Sequence, residues 1–185
     1  YNDEGSTDIW MTRNLVYRCK TGGYQEHYGK ENHIENNIFG FGTFNQIRFT
    51  RAESHVSFIF KHNIVIYDSG EMLGGAVDWK KANVVMDSNL YWKTNGRPTF
   101  LNMSFEEWRK FKEPHSVCMN PMFKDAKNDD YTFTSLKAAR KIDFHPFEPS
   151  QAGVYGSKEW KDKAMLSPET LSAFQQAMGK WRSLK

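Results

Sequence analysis

Acids and bases crowd the first third of the chain, where Asp3 and Glu4, Glu26 and His27, and Arg51 and Glu53 come in pairs. A recurring asparagine serves as a ruler between them. Eleven residues before successive repeat asparagines lie Asp3, Glu26, Ala52 and Asp78; ten before lie Glu4, His27, Glu53 and Trp79; twelve before lie Asn2, Gln25, Arg51 and Val77. If the segments stack as coils, strands about 4.8 Å apart put the carboxylates of Asp3 and Glu26 roughly 5 Å from each other. That is near the ~5–5.5 Å of a retaining glycosidase pair. Glu4 and Glu53, two coils apart, start at roughly 9–10 Å, the upper end of an inverting pair. Crowded carboxylates push one pKa upward and so supply a general acid. Arg51 and His27 would hold the partner ionised or bind hydroxyls, and Tyr24, Tyr28, His55 and Trp79 flank the group as candidate sugar contacts. Side chains alternate along a strand, so only one of Asp3 and Glu4 faces such a cleft. An ordinary solvated face of a solenoid accounts for the same residue types without chemistry.

The ruler itself is a repeat of Asn followed by an aliphatic residue: Asn14-Leu15, Asn37-Ile38, Asn63-Ile64 and Asn89-Leu90, at intervals of 23, 26 and 26. Three residues before each Asn stands an apolar side chain, Met11, Ile34, Phe60 or Met86. Apolar residues at matched positions of every coil are what a stacked core requires. Asn tolerates the left-handed backbone of a tight bend, and stacked amides hydrogen-bond from coil to coil as a ladder. The pattern predicts an all-β chain, the last coils of a right-handed parallel β-helix with short C-terminal helices. Its weak point as a ruler is the three extra residues between Asn37 and Asn63. Upstream of Glu53 they leave the patch aligned; downstream they move Glu53 out of line.

Coils are expected over residues 1–100, an irregular closing segment with a short helix over 101–156, and a C-terminal capping helix over 157–185. Ser104 with Glu107 reads as a capping box that opens the first helix. Asn120-Pro121-Met122-Phe123 and Tyr131-Thr132-Phe133 read as a last irregular coil. Ser167-Pro168-Glu169 starts the final helix, on which Leu171, Phe174, Met178 and Trp181 share a face expected to dock on the body, with Leu166 stapled against Leu171. The 25 basic and 22 acidic residues give a net charge of +3 with no dense basic stripe, which argues against nucleic-acid binding. No segment has the apolar length of a membrane span. Cys19 and Cys118 match no metal or redox spacing and are open to pairing or to remaining thiols. No metal-ligand motif stands out, and Ca²⁺ held by several acids is the one cofactor considered; Asp78, Asp87 and His62 are the weaker metal candidates.

The blocks Tyr1-Asn2-Asp3-Glu4-Gly5-Ser6, His27-Tyr28-Gly29-Lys30-Glu31-Asn32 and Arg51-Ala52-Glu53-Ser54-His55 resemble β-helical carbohydrate-active proteins of gut and marine bacteria. They are most like the β-helix glycoside hydrolase family that includes α-L-fucosidases and xylanases. Asn120-Pro121-Met122-Phe123-Lys124-Asp125, through Phe144-His145-Pro146-Phe147 to Ala152-Gly153-Val154-Tyr155-Gly156, is similar to the closing segment of many such proteins, which usually carry Asp where this chain has Asn120. The resemblance covers residues 1–156. It implies hydrolysis of a glycosidic bond in a plant, algal or host oligo- or polysaccharide, an extracytoplasmic location (periplasmic, cell-surface or secreted), and further N-terminal coils completing the cleft. Two other functions fit the same residues. One is a polysaccharide lyase, with Arg51 as base beside the Asp3, Glu4 and Glu26 group; the other is a non-catalytic solenoid that binds glycans.

Overall fold

The computed structural model describes residues 1–183, except for the side chains of 151, 178 and 180–183. They form two compact units, residues 1–146 and those from 147 onward. In the first unit each coil is a set of short strands separated by bends. The first coil holds β1 (Trp10–Thr12), β2 (Leu15–Tyr17) and β3 (Tyr24–Glu26). The second holds β4 (Asn32–Glu35), β5 (Ile38–Gly40) and β6 (Asn45–Phe49). The third holds β7 (Phe58–Lys61), β8 (Ile64–Tyr67) and β9 (Glu71–Gly74). The fourth holds β10 (Val85–Asp87) and β11 (Leu90–Lys93) before a small antiparallel pair, β12 (Thr99–Phe100) with β13 (Met103–Ser104). Helix α1 (Phe105–Phe111) follows, then β14 (Val117–Cys118). Like strands of successive coils pair in parallel as three sheets, β1-β4-β7-β10, β2-β5-β8-β11-β14 and β3-β6-β9. The chain is thus a parallel β-solenoid.

The register is the one that the asparagine repeat predicts. Met11, Ile34, Phe60 and Met86 form one column, and Leu15, Ile38, Ile64 and Leu90 another. The asparagines build a ladder. Backbone N and Nδ2 of Asn14 donate to Oδ1 of Asn37, those of Asn37 to Oδ1 of Asn63, and those of Asn63 to Oδ1 of Asn89, at 2.9–3.3 Å. One expectation moves by a residue: the left-handed bend falls on Arg13, Asn36, His62 and Ser88, immediately before each asparagine. The asparagine itself is committed to the ladder.

The second sheet is buried on both faces, which is why its strands read as unbroken apolar runs. Val16, Phe39, Val65 and Tyr91 belong to the interior cluster, while the outward Ile38, Ile64, Ile66 and Leu90 are also buried. Their cover is the closing segment. Residues 123–133 form a hairpin, β15 (Phe123–Asp125) with β16 (Asp130–Phe133), instead of the further coil expected from sequence. Tyr131 from this hairpin sits 5.6 Å from the Tyr17 ring and so close over Gly40 that a Cβ there would meet its hydroxyl at 2.2 Å. Farther along, Asn36 and His145 exchange two hydrogen bonds, and the His62 ring meets the Ile142 carbonyl. Covering each isoleucine contributes about 1.5–3 kcal/mol.

The capping box on α1 is formed, with Ser104 and Glu107 satisfying each other's backbone N–H. Cys19 and Cys118 are unpaired thiols. In the second unit, α2 (Lys158–Ala164) was not anticipated, and α3 (Pro168–Ser183) begins where the Ser-Pro-Glu signal puts it, with Ser167 Oγ accepting from Thr170 N. Leu166, Leu171 and Phe174 are exposed; the side chains of Met178 and Trp181, the rest of the expected docking face, lie outside the described residues. Among the described residues no helix is long and apolar enough to cross a membrane.

Candidate functional site

Asn2, not Asp3, occupies the position beside Glu26 on the neighbouring coil. The next parallel pair down the chain is Thr7 with Lys30, so residues 3–6 span a gap that 27–29 cross with one residue fewer. The extra residue makes a turn at the solenoid surface: Ser6 N donates to the Asp3 carbonyl, and Gly5 takes a positive φ of 78°. Asp3 and Glu4 ride on this turn in solvent. The Asp3 carboxylate accepts from Glu4 N and from the Tyr1 hydroxyl, each at 2.8 Å, and these two donors hold it below the ordinary aspartate range.

Glu26 is directed the other way. It lies two residues after Tyr24 on β3, and residues two apart in a strand share a face. Tyr24 is core, so Glu26 is core, with 0 % exposure. Its carboxyl group accepts from the Tyr24 hydroxyl, from Asn2 Nδ2 at 3.4 Å and from Asn32 Nδ2 at 3.1 Å. Burial pushes its pKa up, and the three donors pull partly back. Asp3 and Glu26 are therefore not side by side: one is an exposed turn carboxylate and the other a buried anchor.

Phe49, on the second coil, is the neighbour of Glu26, and Phe58, on the third, is that of Asn32, so eight residues, 50–57, span what five, 27–31, span below. The three extra residues therefore precede Phe58 and form an outward loop that carries Arg51, Glu53 and His55. Glu53 leaves the register that the ruler assigned to it, yet it stays with the patch through its loop. His55 Nε2 lies 3.2 Å from the Gly29 carbonyl and 3.6 Å from the Glu53 carboxylate. The Arg51 guanidinium sits 3.7 Å above the centre of the Tyr28 ring, a cation–π contact.

His27 joins the turn to the loop. Its Nδ1 is 2.7 Å from Thr50 Oγ1, and its Nε2 is 3.5 Å from the Glu4 carboxylate. The Thr50 hydroxyl also reaches the Glu26 carbonyl at 3.3 Å, so Thr50 ties Nδ1 to the strand while Nε2 is turned toward Glu4. Thr50 was not singled out by sequence; nothing in its spacing distinguishes it from any other loop threonine. A hollow of about 370 Å³ opens beside the loop, lined by Thr50, Arg51, Glu53, Val77 and Asp78 among others.

Two expected sugar contacts are interior. Tyr24 is 1 % exposed and Trp79 is 2 % exposed. The Trp79 ring packs edge-on against Phe49 and Phe58, and its Nε1 donates to the Gly74 carbonyl. Tyr28, His27 and His55 are half-buried at the surface. Among the described residues no three His, Cys, Asp or Glu side chains group where they could hold a metal ion. Asp87 meets His115 at 2.6 Å, and His62 is engaged with a backbone carbonyl.

No family model matches the chain, and none of the curated proteins or solved structures compared with it does either.

Proposed function

We propose that the protein is a glycoside hydrolase whose reacting groups are Glu4 and Glu53, carried on the first turn and on the enlarged loop that leads into the third coil. One observation carries this reading. Among the described residues they are the two solvent-exposed carboxylates of the patch that accept no fixed backbone or hydroxyl donor, and each lies within ion-pair range of a histidine, His27 or His55. Asp3 is occupied by two donors and Glu26 has no surface to offer a substrate. As an inverting pair the two would stand ~6.5–9.5 Å apart, with a water between base and sugar. In this reading one glutamate, protonated, gives its proton to the leaving oxygen while the other activates the water. His27 and His55 orient the two carboxylates, and Arg51, held flat on Tyr28, donates to sugar hydroxyls.

Reducing-end release from a panel of plant, algal and host glycans tests it on the full chain. Glu4→Gln and Glu53→Gln should each lower turnover by about 10²-fold or more, the scale of lost general acid or base catalysis. Asp3→Asn should lower it far less. Turnover that survives both glutamine variants overturns the assignment. Binding without cleavage across the panel would replace hydrolysis by a glycan-binding role, and an unsaturated product absorbing in the near ultraviolet would replace it by elimination.

A further inference from the structure

Beside α1 lies a groove that shares no residue with the patch. It has a volume of about 550 Å³ and runs between β11, the 96–97 bend, α1, β14 and residue 141. Its floor is apolar, made by the half-exposed Trp92 with Val117 and Met119. Three cations, Arg97, Arg109 and Lys141, stand against one carboxylate, Glu106. Arg97 and Glu106 neutralise each other at 2.8 Å. Arg109 and Lys141 have no carboxylate within ion-pair distance among the described residues, so the groove keeps two uncompensated positive charges. The Cys118 thiol in the wall adds no anion, because burial pushes its pKa up.

Trp92 also borders a second hollow, of about 300 Å³, whose polar lining includes Asn120, Lys127 and Asp125. A ligand chain laid across the indole would thus place one unit among the cations and the next beside the Asn120 amide and Lys127. Sugar rings offer the two surfaces this requires, a C–H face for the indole and an equatorial rim of hydroxyls for the polar groups.

We propose that this groove is a binding site for an acidic oligosaccharide, with an anionic sugar held by Arg109 and Lys141 and its neighbour packed on Trp92. The ligand class follows from the lining: oxyanion beside paired cations, flat ring on aromatic floor. The shared chemistry is a carboxylate or sulfate on a pyranose. The proposal rests on the reading that the protein handles glycans, and it deepens that reading by naming an acidic substrate anchored away from the reacting carboxylates.

The test is calorimetric and fluorescence titration of the full chain with three oligosaccharides of equal length: a uronate oligomer, a sulfated oligomer and a neutral one. At least one acidic ligand should bind about tenfold tighter than the neutral one, and its affinity should fall with added salt. The double variant Arg109→Ala/Lys141→Ala should remove that preference, and Trp92→Phe should remove most of the fluorescence change. Arg109 and Lys141 are exposed, so the double variant keeps its fold, which circular dichroism checks. Which acidic oligomer binds more tightly assigns the anion. Equal affinity for the neutral ligand, no binding of either acid, or acid binding untouched in the double variant overturns the site. Its failure is separable from that of the hydrolase reading, because Glu4→Gln and Glu53→Gln leave the groove intact and are scored by turnover.

Discussion

Two glutamates are buried in the solenoid at opposite ends of its coil stack, and both are served by a tyrosine hydroxyl and an asparagine amide. Glu113, after α1, accepts from Trp108 Nε1 at 2.6 Å, Ser116 Oγ at 2.7 Å, the Tyr91 hydroxyl at 2.8 Å and Asn89 Nδ2 at 3.2 Å. It ends the asparagine ladder. Where a fifth asparagine would supply one amide oxygen to both donors of Asn89, Ser116 Oγ takes the backbone N–H and Glu113 takes Nδ2. Glu26 has three donors, one of them as distant as 3.4 Å, and it lies under the turn that carries Asp3 and Glu4. The same chemistry is therefore set to two ends. Glu113 closes the fold where no surface group depends on it. Glu26 fastens the underside of a surface on which His27 and Thr50 are arranged.

The largest test of that contrast removes each carboxylate. Glu113→Ala leaves four donors without their acceptor in a site closed to solvent and should cost about 3–5 kcal/mol in urea unfolding. Glu26→Ala should cost less, about 1–3 kcal/mol, because its donors are fewer and its two amide donors lie at 3.1 and 3.4 Å. Equal losses would erase the distinction between a closing glutamate and an anchoring one.

Acidity gives a second test with a definite sign. Burial raises the folded pKa of both carboxyl groups above the ordinary 4.5, against the pull of their donors. A raised folded pKa means that the contribution to stability is complete below the unfolded value and is lost as pH climbs through the folded one. The difference in melting temperature between the wild type and Glu113→Gln should therefore change upward of pH 4.5, with the wild type losing ground as pH rises. Glu26→Gln should behave in the same sense. A difference that stays flat with pH would show that the donors fully offset burial. The tyrosines remain donors throughout, because burial and the adjacent carboxylate push Tyr24 and Tyr91 well above their usual range.

Gly29→Ala presses on Glu26 alone. A Cβ there would lie 1.5 Å from Glu26 Oε1 and 2.4 Å from Asn32 Nδ2, so the carboxylate must leave its donors or the turn must shift. The expected loss is about 1–3 kcal/mol by thermal unfolding. Gly96→Ala, with open space around it, should stay within about 0.5 kcal/mol.

The contrast also marks what could be read from residue order. The asparagine ladder was legible because one residue type at near-constant spacing fixes strand register, and Met11, Ile34, Phe60 and Met86 confirm it column by column. The site was legible only in part. Counting back from the asparagines assumes that coils differ nowhere in between, yet the turn at residues 3–6 and the loop at 50–57 each absorb extra residues. Loop length carries no periodicity, so Asp3 was placed where Asn2 stands. Glu26 could have been recognised as interior from Tyr24 two residues earlier, since an aromatic core residue and its i+2 neighbour share a face. Glu113 lacked any such signal: its role depends on α1 folding back to bring Trp108 to it.

The smallest effect tests whether Glu26 and the surface are one unit. Thr50→Val keeps the backbone hydrogen bond from residue 50 to the Glu26 carbonyl and removes only the hydroxyl that meets His27 Nδ1. The stability loss should be about 0.5–1.5 kcal/mol, the worth of one partly exposed hydrogen bond. The more telling readout is the His27 ring itself. Without the Thr50 hydroxyl, nothing pairs with Nδ1, and the nitrogen chemical shifts of the imidazole should move. Turnover, in the hydrolase reading, should fall together with that shift, because Nε2 is no longer fixed toward Glu4. An unchanged His27 spectrum would mean that Glu4 alone orients the ring. Glu26 would then be as remote from the surface chemistry as Glu113.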